Sequence, residues 1–426
     1  MGTELISIVI PCLNDAAHLE RLLPWLRRAV EPLDEKTEVV VVDGGSTDET
    51  RAVAEREGAR VILQEQRGYG NALKAGFAVC RGDYIVTVDP DLSHNPALIP
   101  EMILRRHEAD MLIASRYIQR GFAWMPIVRR ILSGILNRVV ATVLGLPFRD
   151  LSSGFRIYRK AALDSTEMRS GGYALLLEIV VRLYSAGYRI VEIPLHYRQL
   201  RWGHVRAKPT RLALDYLRTL GAMWRLRNSI DSADYDERAF DSRIPLQRYW
   251  QRKRYRTIVS MVGDALSVLD VGCGSSKIID ALPQSVALDI QFGKLRYKKT
   301  RSQKSVCASV RALPFPDRSF ATVIFSEVIE HLPKDPRILD ECVRVLQPGG
   351  VLVLGTPDYA RWQWRMIERL YARLHPTGYA DQHVAHFTRA EVYEEMERRG
   401  LTVEECAYIL NAELIVKARL RGPIGS

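Results

Sequence analysis

Carboxylates follow three of the strand-like runs in the first 115 residues of the chain. Asp15 ends the sequence IPCLND, Asp43 ends the run VVVVD, and Asp89 and Asp91 form an Asp-Pro-Asp sequence after YIVTV. Two carboxylates one residue apart at a strand terminus can share a hard divalent cation. Mg²⁺ or Mn²⁺ held there would bridge two phosphates of a nucleotide and neutralise a leaving diphosphate. A short acidic turn without a metal is the alternative interpretation of Asp-x-Asp taken alone.

A second group of residues lies in VLDVGCGSS, which is typical of a strand followed by a glycine turn that opens a helix. Gly272 and Gly274 would let a ligand approach the backbone closely, and the helix N-terminus would offer free N–H groups. Asp289 ends the next strand-like run, 17 residues after Gly272, where a carboxylate can bind two ribose hydroxyls. The pattern indicates a nucleoside-containing cofactor, and by itself it also occurs in NAD-binding folds.

Apolar strand-like runs alternate with helical patterns in both halves of the chain, which predicts an α/β fold with parallel sheets. Ligands of such sheets bind at the carboxyl ends of the strands, where these carboxylates and glycines are placed. The segment NSIDSADYDERAFDSRI is acidic, poor in large aliphatic residues and typical of a linker. We expect an N-terminal domain over residues 1–230, a linker over 231–245 and a C-terminal domain over 246–426.

The composition excludes several classes of protein. Of the 426 residues, 47% are hydrophobic and 26% are charged, which excludes a disordered or fibrous chain. The six cysteines are far apart, so we expect neither a disulfide scaffold nor a structural zinc site, and a cytoplasmic location is favoured. Neither a signal peptide nor a membrane-spanning helix is expected.

The net charge of +11 is concentrated in residues 105–160 and 198–227. Such stretches attract the phosphates of nucleic acids, lipid headgroups or nucleotide-linked substrates, although a solvated basic surface is an alternative. Nucleic-acid binding is not expected, because interleaved stacking aromatics of a recognisable module are missing. The apolar segment 122–147 contains three arginines and is either a helix in the membrane interface or an ordinary core helix.

Six motifs follow one another in the N-terminal half: IPCLND, VVDGGSTDET, QRGYGNALKAGF, DYIVTVDPDLSHNP, ASRY and DLSSGFRIY. Together they resemble the family 2 inverting glycosyltransferases of the GT-A fold, in particular the dolichyl-phosphate mannose synthases and related polyprenyl-phosphate glycosyltransferases. The resemblance covers roughly residues 5–210 and implies a nucleotide-sugar-binding GT-A domain. It implies that Asp15 and Asp43 hold the nucleotide base and ribose. Asp89 and Asp91 would bind the donor diphosphate through Mg²⁺ or Mn²⁺.

The same resemblance implies phosphate contacts for basic residues. Arg116 of ASRY would contact a phosphate, and Arg201 and Lys208 fall where the family keeps a basic acceptor loop. The implied reaction is a displacement at the anomeric carbon by a polyprenyl monophosphate, which is already ionised and needs no general base. A glycan hydroxyl would need a base, for which Asp150 of RDLSSGFR is the nearest candidate. Capping of the serine turn that follows is the alternative role of Asp150.

In the C-terminal half, VLDVGCG, ALDI, LPFPDRSFATVIFSEVIEHL and VLQPGGVLVLGTP resemble the class I S-adenosylmethionine-dependent methyltransferases. The resemblance covers roughly residues 246–420 and implies a Rossmann-like domain that binds S-adenosylmethionine. The implied cofactor-binding residues are Asp270, Gly272, Gly274, Asp289 and Glu327. A hydroxyl acceptor would need a base, and the candidates are His331, which is implied near the methyl group, His383 and His386.

Two other ionisable residues stand out. His94 of DPDLSHNP could add a metal ligand, but a loop histidine without that role is favoured. Glu178 lies on an apolar helical pattern, GGYALLLEIVVRLY, and is expected to pair with a nearby arginine, because a buried acid needs a partner.

The two resemblances together predict a bifunctional enzyme. Its first domain would transfer a sugar from a nucleotide-sugar to a polyprenyl-phosphate or glycan acceptor, and its second would methylate a related small molecule, lipid or glycan. Because polyprenyl substrates lie in the bilayer, we expect peripheral contact with the inner face of the membrane through segment 122–147. The alternative is a glycosyltransferase whose second domain is a non-catalytic S-adenosylmethionine-binding or scaffold module.

Overall fold

The computed structural model describes residues 4–198, 209–299, 304–374 and 383–422 of the chain. These residues form two compact units. The first unit consists of Met1–Tyr184 with Tyr188–Arg227, and the second consists of Ser185–Gly187 with Asn228–Ser426.

The strands of the first unit are β1 (Leu5–Cys12), β2 (Lys36–Asp43), β3 (Arg60–Leu63), β4 (Tyr84–Thr87), β5 (Met111–Ser115), β6 (Phe122–Trp124), β7 (Arg156–Arg159), β8 (Ile190–Pro194) and β9 (His196–Arg198). A seven-stranded sheet has the order β3-β2-β1-β4-β7-β5-β8. Strand β7 runs antiparallel to β4 and β5, whereas the other neighbours in this sheet are parallel. Strands β6 and β9 form a separate parallel pair.

The helices of the first unit are α1 (Ala16–Val30), α2 (Thr50–Arg56), α3 (Tyr69–Val79), α4 (Ile99–Leu104), α5 (Ile127–Val143), α6 (Lys160–Asp164), α7 (Ala174–Ser185) and α8 (Pro209–Arg227). Two apolar clusters lie on opposite faces of the sheet. One contains α1, α2 and α4 with Ile8 and Ile10, and the other contains α3 and α7 with Val9. This arrangement follows from the alternation of side chains along β1, which is apolar on both faces.

The strands of the second unit are β10 (Val268–Val271), β11 (Ser285–Asp289), β12 (Lys304–Cys307), β13 (Phe320–Ser326), β14 (Leu346–Pro357), β15 (Leu401–Ile409) and β16 (Glu413–Leu420). They form one sheet in the order β12-β11-β10-β13-β14-β16-β15. Strand β16 is antiparallel to both β14 and β15, and the other pairs are parallel. The expected α/β fold with largely parallel sheets is therefore confirmed in both units.

The helices of the second unit are α9 (Tyr235–Phe240), α10 (Pro245–Val262), α11 (Ile278–Ala281), α12 (Phe292–Lys299), α13 (Pro336–Arg344), α14 (Trp362–Leu374) and α15 (Arg389–Arg398). Residues 231–245, for which the sequence predicted a linker, contain α9 and lie in this unit. The acids of α9 have partners there, since Asp236 accepts a hydrogen bond from Ser275 N–H and Glu237 pairs with Lys277. No helix within the described ranges combines the length and hydropathy needed to cross a membrane.

Candidate functional site

The carboxyl ends of three parallel strands meet at one edge of the first sheet. The register pairs Cys12 of β1 with Asp43 of β2, and Val9 of β1 with Thr87 of β4. The loops that carry the acids therefore leave the sheet side by side. Burial raises the pKa of the Cys12 thiol, and the charges of Asp15, Asp43 and Asp89 raise it further. Asp15, Asp43 and Asp89 thus all act on this one thiol at the edge of the sheet.

The two acids of the Asp-Pro-Asp sequence are held by different contacts. The Tyr69 hydroxyl donates a hydrogen bond of 2.9 Å to Asp89 Oδ1, and Tyr69 stacks on Tyr173 with a centroid separation of 4.6 Å. Asp91 Oδ1 accepts the backbone N–H of Ser93 at 3.0 Å. Burial raises the pKa of Asp89, and the charge of Asp91 adds to the rise. A cation bound by the pair would relieve this repulsion.

His94 lies against this pair, but its nearer nitrogen is engaged. Its Nδ1 accepts the backbone N–H of Asp89 at 3.3 Å, and its ring stacks on Phe155 at 5.0 Å. The ring is buried, and burial lowers the pKa of His94. These contacts favour the packed loop histidine over a metal ligand.

Asp43 and Asp15 differ in their exposure and in their hydrogen-bond partners. Asp43 is completely buried, pairs with Arg51, and accepts Ser46 N–H at 2.9 Å. Burial alone would raise the pKa of Asp43, but these hydrogen bonds from Ser46 and Arg51 lower it below its ordinary value. Each Asp43 oxygen thus receives a hydrogen bond, one from the loop after β2 and one from α2, so Asp43 orders this loop, and its implied contact with a nucleotide stays a prediction. Asp15 accepts Leu13 N–H at 3.0 Å and remains partly exposed.

Asp150 and Arg116 form a buried ion pair. Arg116 Nε and a terminal nitrogen donate to the two Asp150 oxygens at 2.8 and 2.7 Å, and Arg116 N–H donates at 3.0 Å. Asp150 also accepts the N–H groups of Ser152 and Ser153. Burial alone would raise the pKa of Asp150, but the bonds from Arg116 lower it. The interpretation of Asp150 as a base is not supported, because its lone pairs are committed, whereas the turn-capping alternative matches these contacts.

The serine turn after Asp150 connects this ion pair to both the acid pair and α5. Arg116 donates to Ser152 Oγ at 2.7 Å, and the amide of Asn137 on α5 donates to the same oxygen at 3.2 Å. A Cβ atom at Gly154 would overlap the Tyr69 hydroxyl and lie 3.5 Å from both Asp89 oxygens. The glycine therefore lets the turn approach the acid pair closely.

A groove of about 490 Å³ lies beside Ser152, between α5 and α8, and is lined mainly by apolar side chains. Val128, Leu132 and Leu136 of α5 line it, and each is more than half exposed. The remaining exposed apolar residues of α5 are Ile127, Ile131, Ile135, Val139 and Val143. An ordinary core helix would bury this face, so the structure does not support that alternative for segment 122–147.

The remaining predictions for the first unit concern the acceptor loop and the buried acid Glu178. Arg201 and Lys208, the residues of the expected acceptor loop, lie outside the described residues. Glu178 pairs with Arg182 at 2.8 Å and accepts N–H groups of the preceding loop, as predicted for a buried acid. Sequence reasoning missed Asn137, and it quoted Tyr69 only as a letter of the motif QRGYGNALKAGF, which was the available signal.

The glycine turn of the second unit is shaped for close approach. Gly272 and Gly274 have φ values of 70° and 56°, in the left-handed region that favours glycine. A Cβ atom at Gly272 would overlap Val328, which follows β13. Asp289 Oδ2 accepts the N–H of Gly274 at 2.8 Å, so this acid at the end of β11 supports the turn.

Asp270 is a buried acid at the end of β10 with an unused oxygen. Its Oδ2 has no hydrogen-bond partner among the described residues. Burial raises the pKa of Asp270 from 3.8 to about 7, and the charge of Asp289 contributes. A buried acceptor without a donor is costly, so the position fits a ligand that brings a positively charged donor.

Beyond β13, Glu327 belongs to a buried charge network. Arg254 of α10 binds both oxygens of Glu413 at 2.6 Å and Glu327 at 2.8 Å, and Trp250 donates to Glu413. Burial raises the pKa of Glu327. Sequence reasoning missed Arg254 and Glu413, because β16 brings Glu413 to this place from 86 residues beyond Glu327.

His331 and His383 lie together with Glu330 and Tyr359. The rings of the two histidines are 4.8 Å apart, and the Tyr359 hydroxyl lies 2.6 Å from His383 Nδ1. Burial lowers the pKa of His383 to about 3, and the neighbouring histidines contribute. His386 stacks on Tyr359 at 4.0 Å. The structure thus brings together the three histidines that sequence reasoning singled out.

Known proteins resemble the two units separately. Residues 7–166 match the glycosyl transferase family 2. An uncharacterised glycosyltransferase of Mycobacterium tuberculosis is 31% identical over 199 residues, which are 46% of this chain and 87% of the relative. The chain belongs to glycosyl transferase family 2. Residues 269–354 of this family 2 glycosyltransferase match a methyltransferase domain, which confirms the expected pairing of two enzyme domains.

Two further likenesses concern the first unit of this glycosyltransferase. A dolichol-phosphate mannosyltransferase of Pyrococcus furiosus is 29% identical over 239 residues, covering 53% of this chain and 65% of the relative. The crystal structure of glucosyl-3-phosphoglycerate synthase from Mycobacterium tuberculosis, in complex with Mn²⁺, uridine diphosphate and phosphoglyceric acid, is 22% identical. It covers 53% of this chain and 78% of that protein, with a TM-score of 0.40. The two family matches, together with the strand orders of the two sheets, confirm the expected GT-A-like and Rossmann-like α/β folds.

Proposed function

We propose that this glycosyltransferase transfers a sugar from a nucleotide-sugar to a polyprenyl phosphate at the inner membrane surface. Its second unit would use S-adenosylmethionine to methylate a related glycan or lipid. The observation that carries the first part is the apolar groove between α5 and α8, whose lining includes Ser152, the residue that accepts a hydrogen bond from Arg116.

The acid pair fits a hard divalent cation. Asp89 and Asp91 offer carboxylate oxygens at one sheet edge, which is the donor set that Mg²⁺ or Mn²⁺ prefers. The cation would neutralise the departing nucleoside diphosphate. Tyr69 holds one oxygen of Asp89 and thereby orients the carboxylate. Asp15 is the partly exposed acid left to contact the nucleoside, whereas Asp43 orders its loop.

The acceptor end needs charge and an apolar channel rather than a base. A phosphate monoester is ionised at neutral pH, so its oxygen can attack without proton removal. Arg116 would hold that phosphate, and Asp150 fixes the position of the guanidinium. Val128, Leu132 and Leu136 would contact the polyprenyl chain and the bilayer, and Arg129 beside them would face anionic headgroups.

Transfer of radiolabelled sugar from nucleotide-sugar donors to polyprenyl phosphate in liposomes tests this function. Asp89→Asn and Asp91→Asn should abolish formation of the lipid-soluble product and its dependence on Mg²⁺ or Mn²⁺. Asp164→Asn is the matched control, because Asp164 is exposed and pairs only with Lys160 in the described contacts. Full activity of both acid-pair variants would refute the metal role.

The membrane arm uses the same liposomes. Replacing Leu132 and Leu136 by serine removes apolar area worth about 2–4 kcal/mol, so partitioning into vesicles should fall roughly 30- to 1000-fold. Leu104→Ser is the control, since Leu104 is equally exposed but lies on α4. Unchanged partitioning of the double variant would contradict docking through α5.

In the second unit, the buried Asp270 oxygen fits the ammonium group of S-adenosylmethionine. The glycine turn would let the cofactor lie close to the protein backbone. That cofactor would supply the methyl group on its sulfonium. Asp289 supports the turn at Gly274, and its position at the end of β11 suits contact with a ribose. If S-adenosylmethionine binds without turnover, the second unit is a scaffold module.

A further inference from the structure

The turn after β13 and the segment that begins at His383 carry a cluster that neither proposed reaction has used. Glu330, His331 and His383 each bring one ligand-type atom within 4.8 Å of the others. We propose that these residues bind a divalent transition-metal cation that holds the hydroxyl oxygen of the methyl acceptor. The acceptor part of this proposal rests on the methyl transfer proposed above, whereas the metal site does not.

Glu330 is a carboxylate that the folded chain leaves incompletely satisfied. Its side chain is completely buried, and Oε1 has no hydrogen-bond partner among the described residues. Within the described residues, the side-chain hydrogen bond to the other oxygen is a long one, 3.4 Å from the Thr356 hydroxyl. Because a buried carboxylate oxygen without a donor is costly, an absent cation is a direct explanation for this oxygen.

The charges around Glu330 also leave room for a divalent cation. Glu327 and Glu413 already share the single guanidinium of Arg254. Glu327 lies three residues before Glu330, on the segment that follows β13. In the described contacts Glu327 and Glu413 share one positive charge, so this segment has room for the charge of a divalent cation.

The hydrogen bonds of Tyr359 set the tautomer of His383. Tyr359 Oη lies 3.0 Å from Glu368 Oε1, to which it must donate, because an ionised carboxylate only accepts. The hydroxyl then accepts from His383 Nδ1 at 2.6 Å, so the ring proton lies on Nδ1 and the lone pair on Nε2. A ligating histidine is commonly oriented in this way through its other nitrogen.

The backbone fixes this histidine beside the acid. The carbonyl oxygen of Glu330 accepts the N–H groups of Val384 and Ala385 at 2.8 and 3.0 Å. Val328, two residues before Glu330, packs against the glycine turn at Gly272. The cluster thus lies beside the place where the reactive methyl group would be presented.

Two imidazoles and one carboxylate favour Zn²⁺, Mn²⁺ or Co²⁺ over Ca²⁺, and three protein ligands leave positions open for an acceptor. A coordinated hydroxyl loses its proton to solvent more readily than a free one. Its oxygen lone pair would form the new O–CH₃ bond while the S–CH₃ bond breaks. The electrons of that bond stay on sulfur, which turns the sulfonium into a neutral thioether.

The metal site is tested in the 426-residue chain carrying Asp89→Asn and Asp91→Asn, so that the acid pair of the first unit cannot contribute. Calorimetry with MnCl₂ and CoCl₂ should show one equivalent bound, and Co²⁺ should give visible absorption bands from histidine ligation. Acetohydroxamate, a bidentate oxygen ligand, should shift these bands if coordination positions are open. Absence of metal binding overturns the proposal, and unshifted bands overturn its acceptor part.

Variants in the same background locate the site. Glu330→Gln and His383→Ala should each weaken metal binding at least about 100-fold, and Tyr359→Phe should weaken it about 10- to 100-fold. Glu394→Gln, the same change on the exposed surface of α15, should leave it unchanged. Parent-like binding in both Glu330→Gln and His383→Ala would overturn the assignment. A separate titration with S-adenosylmethionine tests the methyltransferase function. A failure of the metal site and a failure of the methyltransferase function can therefore be told apart.

Discussion

Asparagine at position 150 would remove the charge that holds Arg116 in place. In the folded chain, the Asp150 carboxylate receives two charged bonds from the Arg116 side chain, at 2.8 and 2.7 Å, and it is completely buried. Removing one partner of a buried ion pair costs about 3–5 kcal/mol. For a unit of this size each kcal/mol shifts Tm by about 2–4 °C, so Asp150→Asn should lower Tm by roughly 6–20 °C.

Thermal unfolding followed by circular dichroism measures this loss, and a double-mutant cycle with Arg116→Gln assigns it. The double variant should lose less stability than the sum of the two single variants. Each single variant leaves one buried charge unpaired, whereas the double variant leaves none. The exposed pair of Lys160 and Asp164 supplies the control, and Asp164→Asn should cost less than about 1 kcal/mol.

A different outcome would restore the role of Asp150 as a base. If Asp150→Asn unfolds within about 2 °C of the parent but loses sugar transfer, then the carboxylate acts in chemistry rather than as an anchor for Arg116. Additive losses in the double-mutant cycle would likewise contradict the ion pair seen in the structure.

Three other substitutions test other parts of the molecule. Gly154→Ala should lower sugar transfer, because its Cβ atom would displace the Tyr69 hydroxyl from Asp89, and Tyr69→Phe in the same chain should remove the overlap and restore Tm. Gly272→Val should abolish S-adenosylmethionine binding in calorimetry, because its side chain would fill the turn. Asp270→Asn should stabilise the ligand-free chain by about 4 kcal/mol at pH 8, measured by urea unfolding. The reason is that the pKa of Asp270 is about 7 in the folded chain and 3.8 in the unfolded chain, so ionisation at high pH favours unfolding. Below pH 4 the acid is largely protonated in both states, and the substitution should have no such effect. Equal stabilisation at both pH values would contradict the buried acid.

Much of the fold could be predicted from local pattern. A few residues are enough to predict the apolar strands β1, β2 and β10 and the glycine turn at Gly272. This is because strand formation and a left-handed backbone depend on local sequence. The same holds for the acids that end strands, since parallel strands bring their carboxyl ends to one edge. The sequence pattern alone was therefore enough to place Asp89 and Asp91 together at that edge.

What local pattern could not predict is which charges neutralise each other. The sequence left open whether Asp150 acts as a base or caps the serine turn; it lies 34 residues from Arg116, and only the folded chain pairs them. Glu330 and His383 are 53 residues apart and meet because the N–H groups of Val384 and Ala385 donate to the Glu330 carbonyl oxygen. The side of α5 that stays exposed was undecided for the same reason.

The order of apolar and glycine residues was therefore enough to establish two α/β units and the strand ends that carry their reactive groups. Burial and pairing of those groups depended on contacts between distant segments, because the pKa and reach of a carboxylate are set by the charges and donors that tertiary packing places around it. Sequence shows where the acids are, and the packed structure decides which of them remain available for chemistry.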